Sequence, residues 1–280
     1  MNIGSIASAG IGAYLSQVQA LQTPASSGGN ACTAPAGCTP ETNPGFPDKP
    51  RTDDGAGVHG SQPWYRRGDD VIFEGLVRDA ANGADMLGFN NAARHLHHYL
   101  DNSGEDLTVD PARIARDVPD FQSAVQQQLD AEVNRVIEQA VADGCYGEPI
   151  AFDSGWQGFY IGREMSTDWF LAMGGIQHAV TGTVTVQPGD PPTAQVDYQS
   201  HVFDRYNWDE GKETQFGPIT ISDKRMGDLH TAGLAQEYDI VGSSEQARYT
   251  ATYNPTGGDT GNPGLPEADD RDGTRTDPGR

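Results

Sequence analysis

The densest run of side chains able to do acid–base or metal chemistry is Phe203-Asp204-Arg205-Tyr206-Asn207-Trp208-Asp209-Glu210-Gly211-Lys212. If the run begins as an extended strand, Asp204 and Tyr206 share one face and Asp209 lies beyond it in a loop. Two carboxylates supply the hard oxygen ligands of a divalent cation such as magnesium or calcium, so Asp204 and Asp209 are candidate metal ligands. Split between acid and base roles, the same groups can work on water. Tyr206 and Arg205 can stabilise developing negative charge. An ordinary strand end followed by an Asp-Glu-Gly turn has this composition too.

A second candidate is His230, within Met226-Gly-Asp-Leu-His-Thr-Ala-Gly-Leu-Ala235. It is the candidate general acid or base, its ordinary pKa lying near neutrality. Gly227 and Gly233 cost a helix about 1 kcal/mol each relative to alanine, so their presence points to close packing against the sheet or a ligand. His95 and His98, at i, i+3, are a weaker metal pair without the i, i+4 spacing and intervening glutamate of zinc hydrolases. No glycine-rich phosphate loop, GxSxG elbow or CxxC pair is present.

These candidates need elements to hold them. Residues 70–84 are expected to form a helix with Ile72, Leu76 and Ala80 on one side. A second helix, capped by Asn90 or Asn91, runs through Leu100, and Asp110-Pro111 starts a third. The strongest pattern lies between Asp120 and Asp143, where Phe121, Val125, Leu129, Val133, Val136, Ile137 and Ala140 recur at helical spacing and Gly144 ends the run. After Ile150 the period becomes two. Residues 178–186 and 194–202 alternate around Gln187-Pro-Gly-Asp-Pro-Pro and predict a hairpin. Further strands are expected over 216–221, 238–241 and 247–253, with a short helix capped by Ser222 or Asp223 and running through Leu234. Helices followed by an antiparallel sheet give an α+β fold, an N-terminal helical part packed on a C-terminal antiparallel sheet with one short helix.

Composition divides the chain into a short amphipathic helix over 1–22, a disordered Pro/Gly/Ser-rich linker over 23–62, a helical part over 63–149, a β-rich part over 150–253 and a disordered acidic tail over 254–280. The helical and β-rich parts are expected to make one unit. The 280 residues carry 40 acids and 18 bases, a net charge of −22. Most of that charge lies in 69–253, with 30 acids against 11 bases. A folded surface of that sign repels phosphate backbones, so no nucleic-acid partner is expected. Neither a membrane-spanning run nor the basic n-region of a cleavable signal occurs, so no stable membrane insertion is expected. Cys32, Cys38 and Cys145 are odd in number and are read as unpaired thiols, with a Cys32–Cys38 ring as the alternative.

The pattern from Trp169 through Val241, with its Thr-Gly-Thr hairpin, strand-end Asp204-Arg-Tyr206 and Leu229-His-Thr-Ala-Gly-Leu-Ala helix, resembles C-terminal effector domains of bacterial polymorphic toxins. Within these, Asp204-Arg-Tyr206 resembles the strand-end motif of the colicin M family, which cleaves the undecaprenyl-linked peptidoglycan precursor. Asn207 stands where that family has its second carboxylate, Asp209 lies two positions later, and no His-Arg pair follows. The resemblance implies a secreted or injected effector, delivered without a cleavable signal, hydrolysing a phosphodiester-type or cell-envelope substrate and meeting an immunity or delivery protein. The alternative from another class is a non-enzymatic virion, tail or surface protein that self-associates, located in the virion or cytoplasm.

Overall fold

The computed structural model describes residues 38–52, 55–208, 213–216 and 219–268, with side chains left out over 213–216 and 219–221. The chain divides into two units, Met1–Cys38 and Thr39–Arg280. Of the first, only Cys38 is described; the elements below belong to the second.

An N-terminal helical region packs against a C-terminal sheet with one helix inserted. The helices are α1 (Gly68–Met86), α2 (Asn90–Leu100), α3 (Pro111–Asp117), α4 (Pro119–Asp143), α5 (Thr167–Ala172) and α6 (Asp223–Ala232). The strands are β1 (Leu107–Thr108), β2 (Pro149–Asp153), β3 (Gln157–Tyr160), β4 (Gly175–Gln187), β5 (Thr193–Tyr206), β6 (Glu213–Phe216), β7 (Ile219–Ser222), β8 (Tyr238–Ser243) and β9 (Ala247–Thr252). Seven strands form one sheet in the order β1-β8-β5-β4-β2, with β3 also on β4 and β9 also on β5. The pairing of β1 with β8 is parallel and the rest are antiparallel. β6 and β7 form a separate two-stranded hairpin.

α4 begins at the N1 proline Pro119 and ends at Gly144, whose φ of 69° is the left-handed cap that glycine adopts without a Cβ penalty. Its stripe of Phe121, Val125, Leu129, Val133 and Ile137 is buried. That stripe lies on the sheet face carrying Val180, Val184, Val196 and Val202; His178, on the same face, meets the Phe121 ring at 5.5 Å. Burying such a face is the main stabilising term of the fold, about 1.5–3 kcal/mol per large apolar side chain.

α1 forms over the expected span and turns the side carrying Ile72 and Leu76 outward. Its core face is Asp70, Val77, Ala81 and Ala84, whereas Ile72 and Leu76 are 69% and 58% exposed. Small residues let α1 approach α2 closely, and Asp70 is held on that inner side by Arg225 of α6.

Composition also misses how much of the leader and tail packs on the body. Glu41 donates its N–H to the Pro149 carbonyl and accepts from Ala151 N–H at 2.8 Å. Phe46 meets the rings of Trp156 and His201 edge-on, each at 5.4 Å, and Lys49 joins Asp106 and Asp239. Farther on, Gly60 and Gln62 donate to the carbonyls of His230 and Thr231. In the tail, Thr260 donates to Asp130 at 2.6 Å and Tyr198 donates to the Gly264 carbonyl. A strap without large apolar runs is thus fixed by backbone hydrogen bonds and single anchors, which leave no periodic trace. The expected lone thiols are corrected too: Cys145, just beyond α4, is disulfide-bonded, and so is Cys38.

Candidate functional site

β5 stays extended through Tyr206, so the alternation that places Asp204 and Tyr206 on one face holds to the strand end. The β5–β8 register sets Asp204 opposite Ile240 and Tyr206 opposite Tyr238, on the face covered by the helices. There the Tyr206 ring lies in an aromatic nest. It stacks on Tyr238 at 4.9 Å, meets Trp208 edge-on at 5.5 Å, and lies 5.8 Å from Tyr99 and 6.2 Å from His95.

Burial raises the Tyr206 phenol well above its ordinary pKa, and the negative charges of Asp204 and Asp223 raise it further. It is therefore a protonated donor throughout the physiological range. Asp223, the first residue of α6, is 7% exposed and follows Ser222, whose hydroxyl caps the helix by accepting from Arg225 N–H. The sequence marks Asp223 only as a possible cap; its carboxylate nevertheless belongs to the electrostatic environment of Tyr206, a placement set by α6 that spacing does not reveal. Asp204 accepts from the N–H of Arg205 at 2.8 Å.

The other candidates fall elsewhere. Arg205 faces the opposite side of the sheet, where it pairs with Asp239 at 2.9 Å beside Lys49. Asp209 lies outside the described residues, as does Lys212. His230 is buried on α6 with both ring nitrogens engaged: Nε2 donates to the Gly57 carbonyl at 3.0 Å, and Nδ1 accepts from the N–H of Glu237 at 3.1 Å. Those bonds fix the neutral tautomer. Burial lowers its pKa, partly opposed by the Glu237 charge.

Glu237, 3% exposed, carries no motif or spacing that marks it in the sequence. Its carboxylate accepts from the N–H groups of Ala56 and Trp208, each at 3.0 Å, and so ties strap and strand end to one point. Gly227 is closely packed against the strap and the residue past β5 rather than against the sheet, since a Cβ there would lie 2.8 Å from that of Ala56 and 3.2 Å from the Trp208 carbonyl oxygen. Tyr99 stands between the two clusters, its pKa raised by burial and by Glu237 and Tyr206, with its hydroxyl donating to the Met226 carbonyl at 2.7 Å.

His95 is fully buried. Its Nδ1 donates to the Asn91 carbonyl at 2.7 Å, and desolvation lowers its pKa to about 4. His98 donates through Nε2 to the Glu105 carbonyl at 2.8 Å. Each histidine thus gives one ring nitrogen to a backbone acceptor, while Nε2 of His95 is buried without a hydrogen-bond partner among the described residues. Among the described residues, no group of three His, Cys, Asp or Glu side chains converges as a metal site. Asp204 and Asp223, whose charges both act on Tyr206, have the right donor chemistry for a hard cation.

No family model and no curated protein matches the chain. Among solved structures it is distantly similar to the bacteriocin syringacin M from Pseudomonas syringae pv. tomato DC3000. The truncated form aligns over 59% of this chain and 60% of that one, at 13% identity and a TM-score of 0.31. A second syringacin M structure aligns over 57% and 52%, at 15% identity and a TM-score of 0.29. The chain thus spans little more than half the length of those it resembles.

Proposed function

We propose that the protein is a secreted or delivered bacterial effector that hydrolyses a phosphodiester-type bond in a cell-envelope substrate at the β5 strand end. The observation that carries this reading is the grouping of Asp204, Tyr206 and Asp223, two carboxylates acting on one protonated phenol. Hydrolysis of a phosphodiester needs a base for water and a proton for the departing oxygen. Asp204 takes the proton of the attacking water as its oxygen bonds to phosphorus. Tyr206 gives its proton to the leaving oxygen as that bond breaks. The proton on Asp204 then returns to the phenolate through solvent. Asp223 holds the phenol in its protonated form until transfer. A magnesium or calcium ion, if bound by Asp204 and Asp223, would polarise the phosphoryl oxygen.

His230 and Arg205 serve as positioning residues in this scheme, His230 through the strap and Arg205 through Asp239. The disulfide-bonded Cys38 and Cys145 support an oxidising destination. The excess of acids over bases supports an envelope substrate over nucleic acid. The test is expression in the bacterial periplasm. Wild-type protein is expected to arrest growth, and Asp204→Ala and Asp223→Ala to abolish the arrest while remaining folded by circular dichroism. Undiminished arrest by both variants overturns the assignment. The self-assembling structural alternative draws on one observation, the exposed apolar side of α1; light scattering of the full chain decides it, because that alternative requires a closed ring or filament.

A further inference from the structure

The side of α1 turned away from the core carries Val71, Ile72, Leu76 and Met86, followed by Leu87 just past the helix, all exposed, with Met86 at 88%. At 100° per residue, Gly68, Gly75 and Gly83 fall on the same side as Ile72 and Leu76. A glycine inside a helix costs about 1 kcal/mol relative to alanine and is usually explained by a neighbour that needs the space. Here a Cβ added at any of the three would meet nothing within 4 Å. The helix therefore has gaps between large apolar side chains and no described neighbour filling them. Apolar knobs flanking glycine gaps are the surface that another helix packs into, ridge to groove.

Charge narrows the occupant. Asp79 lies in the middle of the stripe and Asp69 at its edge, both exposed. Arg78, the sole base of α1, is turned to Glu74 at 2.6 Å and to the Leu100 carbonyl. A second copy of this chain would bring the same aspartates together on molecules of charge −22. An anionic lipid surface would be repelled in the same way, and a lipid surface has no use for glycine gaps.

We infer that the outer side of α1 is a docking surface for an amphipathic helix of a basic partner protein, one that seats apolar side chains over Gly75 and Gly83 and sets a lysine or arginine against Asp79. Such helix-in-groove recognition reads anchors at i, i+3 and i+4. This inference does not depend on the β5 site.

The experiment uses the full chain and two synthetic 21-residue amphipathic helices, one of leucine, alanine and lysine and the other with glutamate in place of lysine. Binding is read by fluorescence anisotropy at physiological salt. The lysine peptide is expected to bind and the glutamate peptide not to. Ile72→Glu should weaken binding at least about tenfold, as expected for an anchor. Asp79→Lys should reverse the preference between peptides, whereas Glu138→Lys, on the exposed side of α4, should leave it unchanged. Gly75→Ala should raise the melting temperature and weaken binding together, a pairing that a merely structural role for α1 does not produce. The inference is overturned if Ile72→Glu binds as wild type, if Glu138→Lys matches Asp79→Lys, or if Gly75→Ala strengthens binding. It is equally overturned if light scattering finds a dimer that Ile72→Glu dissolves, or if the same face binds phosphatidylcholine vesicles in place of the lysine peptide.

Discussion

Tyr206 stacks on Tyr238 across the β5–β8 pair, ring centroids 4.9 Å apart and planes inclined by 15°. The register makes this pairing, since the two residues are directly opposed at the last rung of the ladder. Tyr238 in turn donates its hydroxyl to the His95 carbonyl at 2.9 Å, which fixes the plate against which Tyr206 rests. A phenol held in place and kept protonated by its surroundings is pre-positioned as a proton donor.

Removing the two hydroxyls should therefore have opposite signatures. Tyr206→Phe is expected to leave the melting temperature close to wild type and to lower turnover by about 10²–10⁴-fold. Tyr238→Phe loses a buried hydrogen bond and should cost about 1 kcal/mol of stability. Chemical denaturation and rate measurements on the same preparations separate the two.

Stability should fall on acidification. His95, His178 and His201 are buried, and desolvation lowers each to a pKa of about 4, below the ordinary 6.5. Above about 6.5 they are neutral folded or unfolded. Between about 6.5 and 4 the unfolded chain takes up protons that the folded chain refuses, so folding loses up to roughly 1.4 kcal/mol per pH unit per histidine. Thermal melts at pH 7 and pH 5 read the effect. His201→Gln, which can keep bonds to Thr181 and Ser243, should make the slope shallower.

Glu237→Ala leaves the N–H groups of Ala56 and Trp208 without their acceptor. The expected loss is about 1–3 kcal/mol. Hydrogen exchange should quicken over residues 55–62, while the amides of α4, which share no bond with Glu237, keep their protection relative to global unfolding. Uniform quickening would contradict the pinning role of Glu237.

Cys145→Ser, or reductant, should lower stability by about 2–5 kcal/mol, the usual cost of removing a native disulfide. Melting with and without reductant measures it. No shift in either case would contradict the disulfide-bonded state of Cys145.

Periodicity made much of this fold legible. The α4 stripe and the β4–β5 alternation are set by one face buried against another, and α4, β4 and β5 lie within a few residues of their expected places. The single strand expected over 216–221 is instead two, β6 and β7, and β1, β2 and β3 left no signal. Where two faces of one helix are both partly apolar, as in α1, periodicity does not say which one is buried, because alanine packs as well as isoleucine when the neighbour is close. The strap and tail were illegible because single hydrogen bonds, not apolar area, hold them. At the site, Asp204 and Tyr206 were readable from strand alternation. Asp223 and Glu237 were not, since their places depend on how α6 and the start of β8 return to the strand end, a long-range relationship that spacing does not encode.

The most direct test of the proposed site is phosphorus NMR of purified full-length protein incubated with a bacterial envelope lipid extract. Wild type is expected to convert diester or diphosphate-diester resonances into monoester resonances, and Tyr206→Phe, Asp204→Asn and Asp223→Asn each to slow that conversion by at least about 10²-fold at unchanged melting temperature. Conversion at the wild-type rate by folded Tyr206→Phe and Asp204→Asn would contradict the account.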